Sequence, residues 1–122
     1  MSLVKASKAY ELICLFIEAL NNKDKGTLSR EFGISEDVYE EIVEALSGYE
    51  EGTSIWSPPP LREAFERKGN LHDFDFYEMN QPGVWGGECR LWHGGQRAEP
   101  IFHAEFAEAD DKLIMVFRYI EN

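Results

Sequence analysis

The sequence predicts one α+β domain over residues 1–122, in which N-terminal helices pack on the concave face of a curved antiparallel meander sheet of four to five strands. In the first half of the chain, apolar residues recur at the spacing of amphipathic helices. From Leu71 onward the apolar period changes to two residues, and short turn signals separate four runs, at 71–79, 84–93, 97–108 and 112–120. Helices followed by a run of strands are typical of the α+β class.

The first half is predicted to hold a long helix, a helical turn and two further helices. The helix over residues 4–22 presents one apolar stripe, formed by Ala9, Leu12, Ile13, Phe16, Ile17 and Leu20. A turn over "TLSREF" ends at Gly33, and the next helix runs from the N-cap Ser35 to about Ser47, with Gly48 as C-cap. A connector with a short strand at "TSIW" leads to a two-turn helix over "LREAFERK", with the i,i+4 pairs Arg62/Glu66 and Glu63/Arg67.

The turns between the strand runs set a register for the sheet. We take "NQPG" as a four-residue loop, and Gly94-Gly95 and Asp110-Asp111 as two-residue turns. The facing pairs that follow are Leu91–Ala98, Arg90–Glu99, Trp92–Arg97, Asp73–Arg90, Phe74–Cys89, Phe106–Met115, Ala104–Phe117 and Phe102–Tyr119. Gly86 and Gly87 fall inside a strand run, which predicts a bulge or a strong bend there.

This register divides the sheet residues between two faces. The inner face, which the helices must cover, is apolar and holds Phe74, Phe76, Trp85, Cys89, Leu91, Phe102, Ala104, Phe106, Leu113, Met115, Phe117 and Tyr119. The outer face carries an Asp73–Arg90–Glu99 charge ladder. Its other members are Asp75, Glu88, Trp92, Ile101, His103, Glu105, Ile114, Val116, Arg118 and Ile120. This mixture of apolar and charged residues is suited to a homodimer interface.

The charge of the chain limits its partners. With 12 basic and 23 acidic residues the net charge is −11, which repels nucleic acid and anionic membranes and is suited to a basic protein partner. Residues 28–46 resemble a helix-turn-helix, but the second helix is acidic and would be repelled by phosphates. No secretory signal or apolar span of membrane length is predicted, and we expect a cytoplasmic protein.

The stretch "GVWGGECRLWHGG" looks like a reactive site but is predicted to be a strand. Cys89 and His93 would be about 13 Å apart on a strand, too far for a nucleophile and its base. Cys89 is expected in the core, as a small apolar side chain. His72 and His93 lie on one face at one end of the sheet without a third ligand, so no metal site, catalytic residue or cofactor is predicted.

Three stretches carry a family resemblance: the long first helix with "EALNNKD", the curved sheet ending in "AEADDKLIMVFRYIE", and the "VWGGECRLWHGGQRAEPIFHAEF" hairpin. In these stretches the chain resembles the NTF2-like (cystatin-like, cone-shaped) superfamily, and the hairpin is similar to that of uncharacterised bacterial members. The resemblance implies a cone between helix and sheet, which in the enzymes of the family holds an acid or base. The candidates for such a pocket here are His72, Glu78, His93 and Tyr119.

Two functions are expected from these observations. The first is a non-enzymatic acidic binding protein, for example an immunity-type protein that neutralises a basic toxin. Its partner-binding candidates are Glu36, Asp37, Glu40, Glu41, Glu44, Arg90 and Trp92. The alternative is a small-molecule-binding protein, or an isomerase- or dehydratase-type enzyme, with its site in the cone. Because no triad for such chemistry maps onto the chain, the sequence favours the non-enzymatic function.

Overall fold

The computed structural model describes residues 3–49, 55–68 and 71–122, without the side chains at positions 3, 49, 67, 68, 71 and 72. The helices are α1 (Leu3–Asn21), α2 (Lys25–Phe32), α3 (Glu36–Leu46) and α4 (Leu61–Ala64), and a 3₁₀ turn covers Ser47–Tyr49. The strands are β1 (Trp56–Ser57), β2 (Arg67–Lys68), β3 (Leu71–His72), β4 (Phe74–Glu78), β5 (Val84–His93), β6 (Gln96–Ala109) and β7 (Lys112–Glu121).

The main sheet is antiparallel and has five strands, in the order β1-β5-β6-β7, while β4 pairs with the other half of β5 on the side of β1. Strands β2 and β3 form a separate two-stranded sheet. The helices cover the inner face of the curled main sheet, which forms a half-barrel. The α+β class, with helices on the concave face of a curved antiparallel sheet, is therefore confirmed.

The helix boundaries follow local chemistry, with one correction at the end of α3. The Ser35 hydroxyl accepts a hydrogen bond from the Val38 amide at 3.2 Å, as expected of an N-cap. Gly33 ends α2 in the left-handed region, with φ of 64°. Gly48 is not the C-cap of α3, because the cap is Ser47 and the chain continues as a 3₁₀ turn.

The predicted two-turn helix over "LREAFERK" is wrong beyond its first turn. Helix α4 ends at Ala64, and residues 67 and 68 pair with 72 and 71 as strands. The Arg62–Glu66 ion pair forms, with Nε and Oε1 at 3.6 Å, whereas the predicted Glu63/Arg67 pair involves the side chain of Arg67, which lies outside the description. Of the predicted "TSIW" strand, Trp56 is paired with His93, and positions 53 and 54 are outside the description.

Two bulges change the predicted register. Trp92 faces Arg97 and Phe74 faces Cys89, as expected, but Arg90 pairs with Ile101 instead of Glu99. The extra residues lie in β6 and include Pro100, whose ring nitrogen cannot donate to a ladder.

In β7, Arg118 is an extra residue between two in-register segments. Phe106–Met115 and Ala104–Phe117 pair as predicted, but Tyr119 pairs with His103 instead of Phe102. Because one extra residue inverts the alternation of faces, Tyr119 lies on the outer face. Ile120, expected outside, pairs with Phe102 and packs against the core.

Aromatic rings fill the space between α1 and the sheet. Phe16 on α1 lies 5.1 Å from the Phe102 ring and 5.4 Å from the Phe117 ring, and all but Phe117 are fully buried. Gly87 lets the Phe106 ring lie against the backbone, since a Cβ at Gly87 would be 2.6 Å from its Cε1 atom. Of the two alternatives predicted at Gly86-Gly87, a bulge or a strong bend, the bulge is wrong, because both glycines stay in register with β4 and β6.

Candidate functional site

Helix α3 presents an acidic surface formed by Glu36, Asp37, Glu40, Glu41 and Glu44, and we call it the acidic face. All five side chains are exposed. The opposite side of α3 buries Tyr39, Ile42 and Leu46 in the core, which fixes the direction of the acidic face toward solvent. The two carboxylates of the first turn also lie at the positive end of the helix dipole, where negative charge is stabilising.

A groove of about 300 Å³ lies between α2 and α3, at the beginning of the acidic face. Its lining includes Lys25, Glu36 and Tyr39. The Lys25 ammonium lies 2.8 Å from Glu36 Oε1 and 4.9 Å from the centre of the Tyr39 ring. The hydrogen bond and charge of Glu36 raise the pKa of Lys25. Within the groove, the ammonium group of Lys25 is therefore paired with the Glu36 carboxylate and also lies near the Tyr39 ring.

Neither Lys25 nor Tyr39 was expected as a site residue from the sequence. Tyr39 was missed because it stands at the margin of the apolar spacing of α3, beside charged neighbours. Lys25 meets Glu36 from a different helix, eleven positions earlier in the chain, and a contact of this kind leaves no periodic signal.

The expected pocket residues do not converge among those that are described. Glu78 faces Trp85 at one end of β5, and His93 faces Trp56 at the other. Eight residues of strand separate these two positions by about 26 Å. Tyr119 is 54% exposed on the outer face, stacked 4.3 Å from the His103 ring, so its expected inner position is wrong. The side chain of His72 lies outside the description.

The thiols are part of the packing. Cys89 is fully buried, as predicted, and burial raises the pKa of its thiol. Burial also raises the pKa of the Cys14 thiol, on α1, and is the largest contribution to that shift. A raised pKa lowers the thiolate fraction, which is the nucleophilic form. Within the described part of the chain, no three histidine, cysteine, aspartate or glutamate residues are grouped as metal ligands.

The outer-face candidates Arg90 and Trp92 are half-buried, and the buried Arg90 Nε and Trp92 Nε1 atoms have no hydrogen-bond partner among the described residues. Arg90 Nη1 donates to the carbonyl oxygens of Ala98 and Glu99, at 2.9 and 3.2 Å. Asp73 pairs with Arg97 instead of Arg90, so the predicted charge ladder does not form in that arrangement. These hydrogen bonds join Arg90 to the bulge around Pro100. The guanidinium of Arg90 is therefore less available to a partner protein.

Comparison with protein-family models, curated proteins and solved structures gives no match for this chain. Among the helices that the structure describes, none combines the length and apolar character needed to cross a membrane.

Proposed function

We propose that this protein is a non-enzymatic binding protein that captures a basic protein partner on the acidic face of α3, as an immunity-type protein would neutralise a basic toxin. The main observation in support of the proposal is that α3 exposes five carboxylates on one side. Its other side is buried in the core. A rigid charged surface needs little reordering on binding, so more of the interaction energy is kept.

The proposed mechanism is electrostatic steering. The acidic face, in a chain of net charge −11, attracts a positively charged surface over a distance of about one Debye length, roughly 8–10 Å at physiological salt. Steering of this kind raises the association rate and makes it dependent on ionic strength. Glu40, Glu41 and Glu44 are the residues we assign to first contact, since they follow one another along the exposed side of α3.

The proposal is tested with a panel of purified basic nuclease domains. In the triple variant Glu40→Lys, Glu41→Lys and Glu44→Lys, we expect the association rate to fall by at least tenfold and its salt dependence to be lost. The matched control reverses Glu11, Glu18 and Glu31, which are exposed on α1 and α2 and change the net charge equally. An equal fall of the association rate in both variants would mean that only the net charge matters. An unchanged rate in both would exclude the acidic face as the binding surface.

The other functional expectations stay predictions. They are membership of the NTF2-like superfamily, a small-molecule or enzymatic site in the cone, a homodimer through the outer sheet face, and a cytoplasmic location.

A further inference from the structure

Strand β7 forms one edge of the main sheet, and among the described residues its sheet partner is β6 alone. It is ten residues long, and three of its outer-face side chains are exposed although apolar: Ile114 at 48%, Val116 at 45% and Tyr119 at 54%. A long edge strand leaves a row of N–H and C=O groups that can pair with another strand. This edge is distinguished by self-complementarity, because the residues of its first half match those of its second half in an antiparallel pairing.

We infer that β7 pairs with β7 of a second copy of this chain, antiparallel about a two-fold axis at Val116. In this register Val116 faces Val116 of the second copy, and Met115 faces Phe117. Beyond the bulged Arg118, Ile114 faces Tyr119 and Leu113 faces Ile120. At each end, Lys112 of one copy faces Glu121 of the other.

The bulge at Arg118 makes this register possible. Residues that face each other in an antiparallel pair must lie on the same side of the sheet. Without the bulge, Ile114 and Tyr119 would lie on opposite sides, because they are five positions apart. The extra residue places Tyr119 on the outer side, where Ile114 also lies, and places Ile120 on the inner side with Leu113. The strand is thus matched to itself on both sides.

The two ends of β7 carry opposite charges. Lys112 and Glu121 are both exposed, and the two-fold axis brings each beside its opposite. Glu121 contacts His103 Nε2 through Oε1, at 2.7 Å, which leaves Oε2 for Lys112 of the second copy. The inner side chains of β7 remain under the helices of their own copy, for example Phe117 against Phe16. The contact therefore adds backbone hydrogen bonds, the outer apolar row and two ion pairs.

Cysteine cross-linking tests the register. All variants carry Cys14→Ser, which removes one of the two native thiols. Cys89 is kept, because it is fully buried. In this background Val116→Cys is expected to form a disulfide dimer on oxidation. Ile114→Cys alone should form no disulfide cross-link, whereas a mixture of Ile114→Cys and Tyr119→Cys should give the mixed disulfide dimer. A face-to-face contact between outer sheet faces would not show this selectivity, so cross-linking of all variants alike would overturn the inference.

Charge exchange tests the same contact without cysteines. Lys112→Glu places two glutamates together at each end, and we expect the dimer dissociation constant from sedimentation to rise about tenfold. Lys112→Glu combined with Glu121→Lys should restore it, and Lys8→Glu, on exposed α1 surface, is the control for net charge. A wild-type chain that sediments as a monomer at millimolar concentration would overturn the inference. It does not depend on the acidic face, so the two proposals can fail separately.

Discussion

Arg97 Nη2 lies 2.7 Å from Asp73 Oδ1, and this ion pair crosses the central strand of the sheet. Arg97 is on β6, whereas Asp73 precedes β4, on the other side of β5. The Asp73 side chain is 10% exposed and that of Arg97 is 38% exposed, so the pair is sheltered at its acidic end. Asp73 also accepts the Arg90 amide at its backbone oxygen, at 2.8 Å. Three strands are therefore connected at one place.

We expect Arg97→Ala to lower the free energy of unfolding by about 1–3 kcal/mol, because it leaves the sheltered Asp73 carboxylate without its ion-pair partner. Arg97→Lys should recover part of the loss, since lysine keeps the charge but not the planar fork. Urea unfolding measures both. The double variant Asp73→Asn with Arg97→Ala should be less destabilised than the sum of the single variants. Simple additivity would show that the two groups do not interact.

Neighbouring glycines in β5 provide a matched test of packing. A Cβ at Gly87 would meet the fully buried Phe106 ring at 2.6 Å, and one at Gly86 would meet the exposed Tyr77 ring at 2.5 Å. Phe106 cannot move without repacking the core, whereas Tyr77 can swing into solvent. We expect Gly87→Ala to cost about 1–3 kcal/mol and Gly86→Ala clearly less, in the same unfolding experiment. Equal costs would mean that the Tyr77 ring is as constrained as the core.

Asn21 holds strand β1 to the end of α1. Its Nδ2 donates to the Trp56 carbonyl at 2.6 Å, and its Oδ1 accepts the Trp56 amide at 3.0 Å. The side chain thus acts as an additional strand partner for a two-residue strand. We expect Asn21→Ala to cost about 1–3 kcal/mol and to speed hydrogen exchange at Trp56. Asn22→Ala, on the exposed neighbour, is the control and should leave exchange at Trp56 unchanged.

The cap of α2 gives a pH dependence of known sign. Asp24 accepts the Thr27 amide at 3.1 Å and the Thr27 hydroxyl at 2.6 Å, and these hydrogen bonds lower the pKa of Asp24. Because the folded pKa lies below the unfolded one, this contribution to stability is present above the ordinary aspartate pKa of about 3.9 and is lost as the pH falls through the folded value.

The free energy of unfolding measured with urea should therefore be larger for wild type than for Asp24→Asn near neutral pH. The two free energies should approach each other as the solution is acidified. Thr27→Val should reduce the pH-dependent part of the difference, because it removes the hydroxyl donor. A difference that is constant across this range would contradict the assignment.

The sequence predicted those parts of the fold that depend on local periodicity and turn chemistry. The Gly94-Gly95 turn and the pairs Phe74–Cys89 and Phe106–Met115 followed from alternation counted outward from a turn. Counting failed past each bulge, because the two extra residues of β6 shift the pairing and the one extra residue of β7 also inverts the faces. Pro100 was a visible warning in β6, whereas Arg118 carried none. Tyr119 was therefore placed on the wrong face.

The candidate site was predictable to the extent that it depends on one helix. The acidic face of α3 is visible in the sequence because helical spacing separates charged from apolar positions. The groove beside it was not visible, since Lys25 and Tyr39 meet across two helices whose relative placement is set by tertiary packing. The self-match of β7 depends on its bulge and could not be found before the register was known.

The stacked rings of Phe16 and Phe117 join positions about a hundred residues apart in the chain. During synthesis, α1 therefore emerges from the ribosome long before the strand that covers its apolar stripe. At ordinary elongation rates the interval is roughly 5–20 s. Throughout that time the sheet cannot cover Phe16, Ile13 and Ile17, so burial of the apolar stripe of α1 is completed only after β7 has been synthesised.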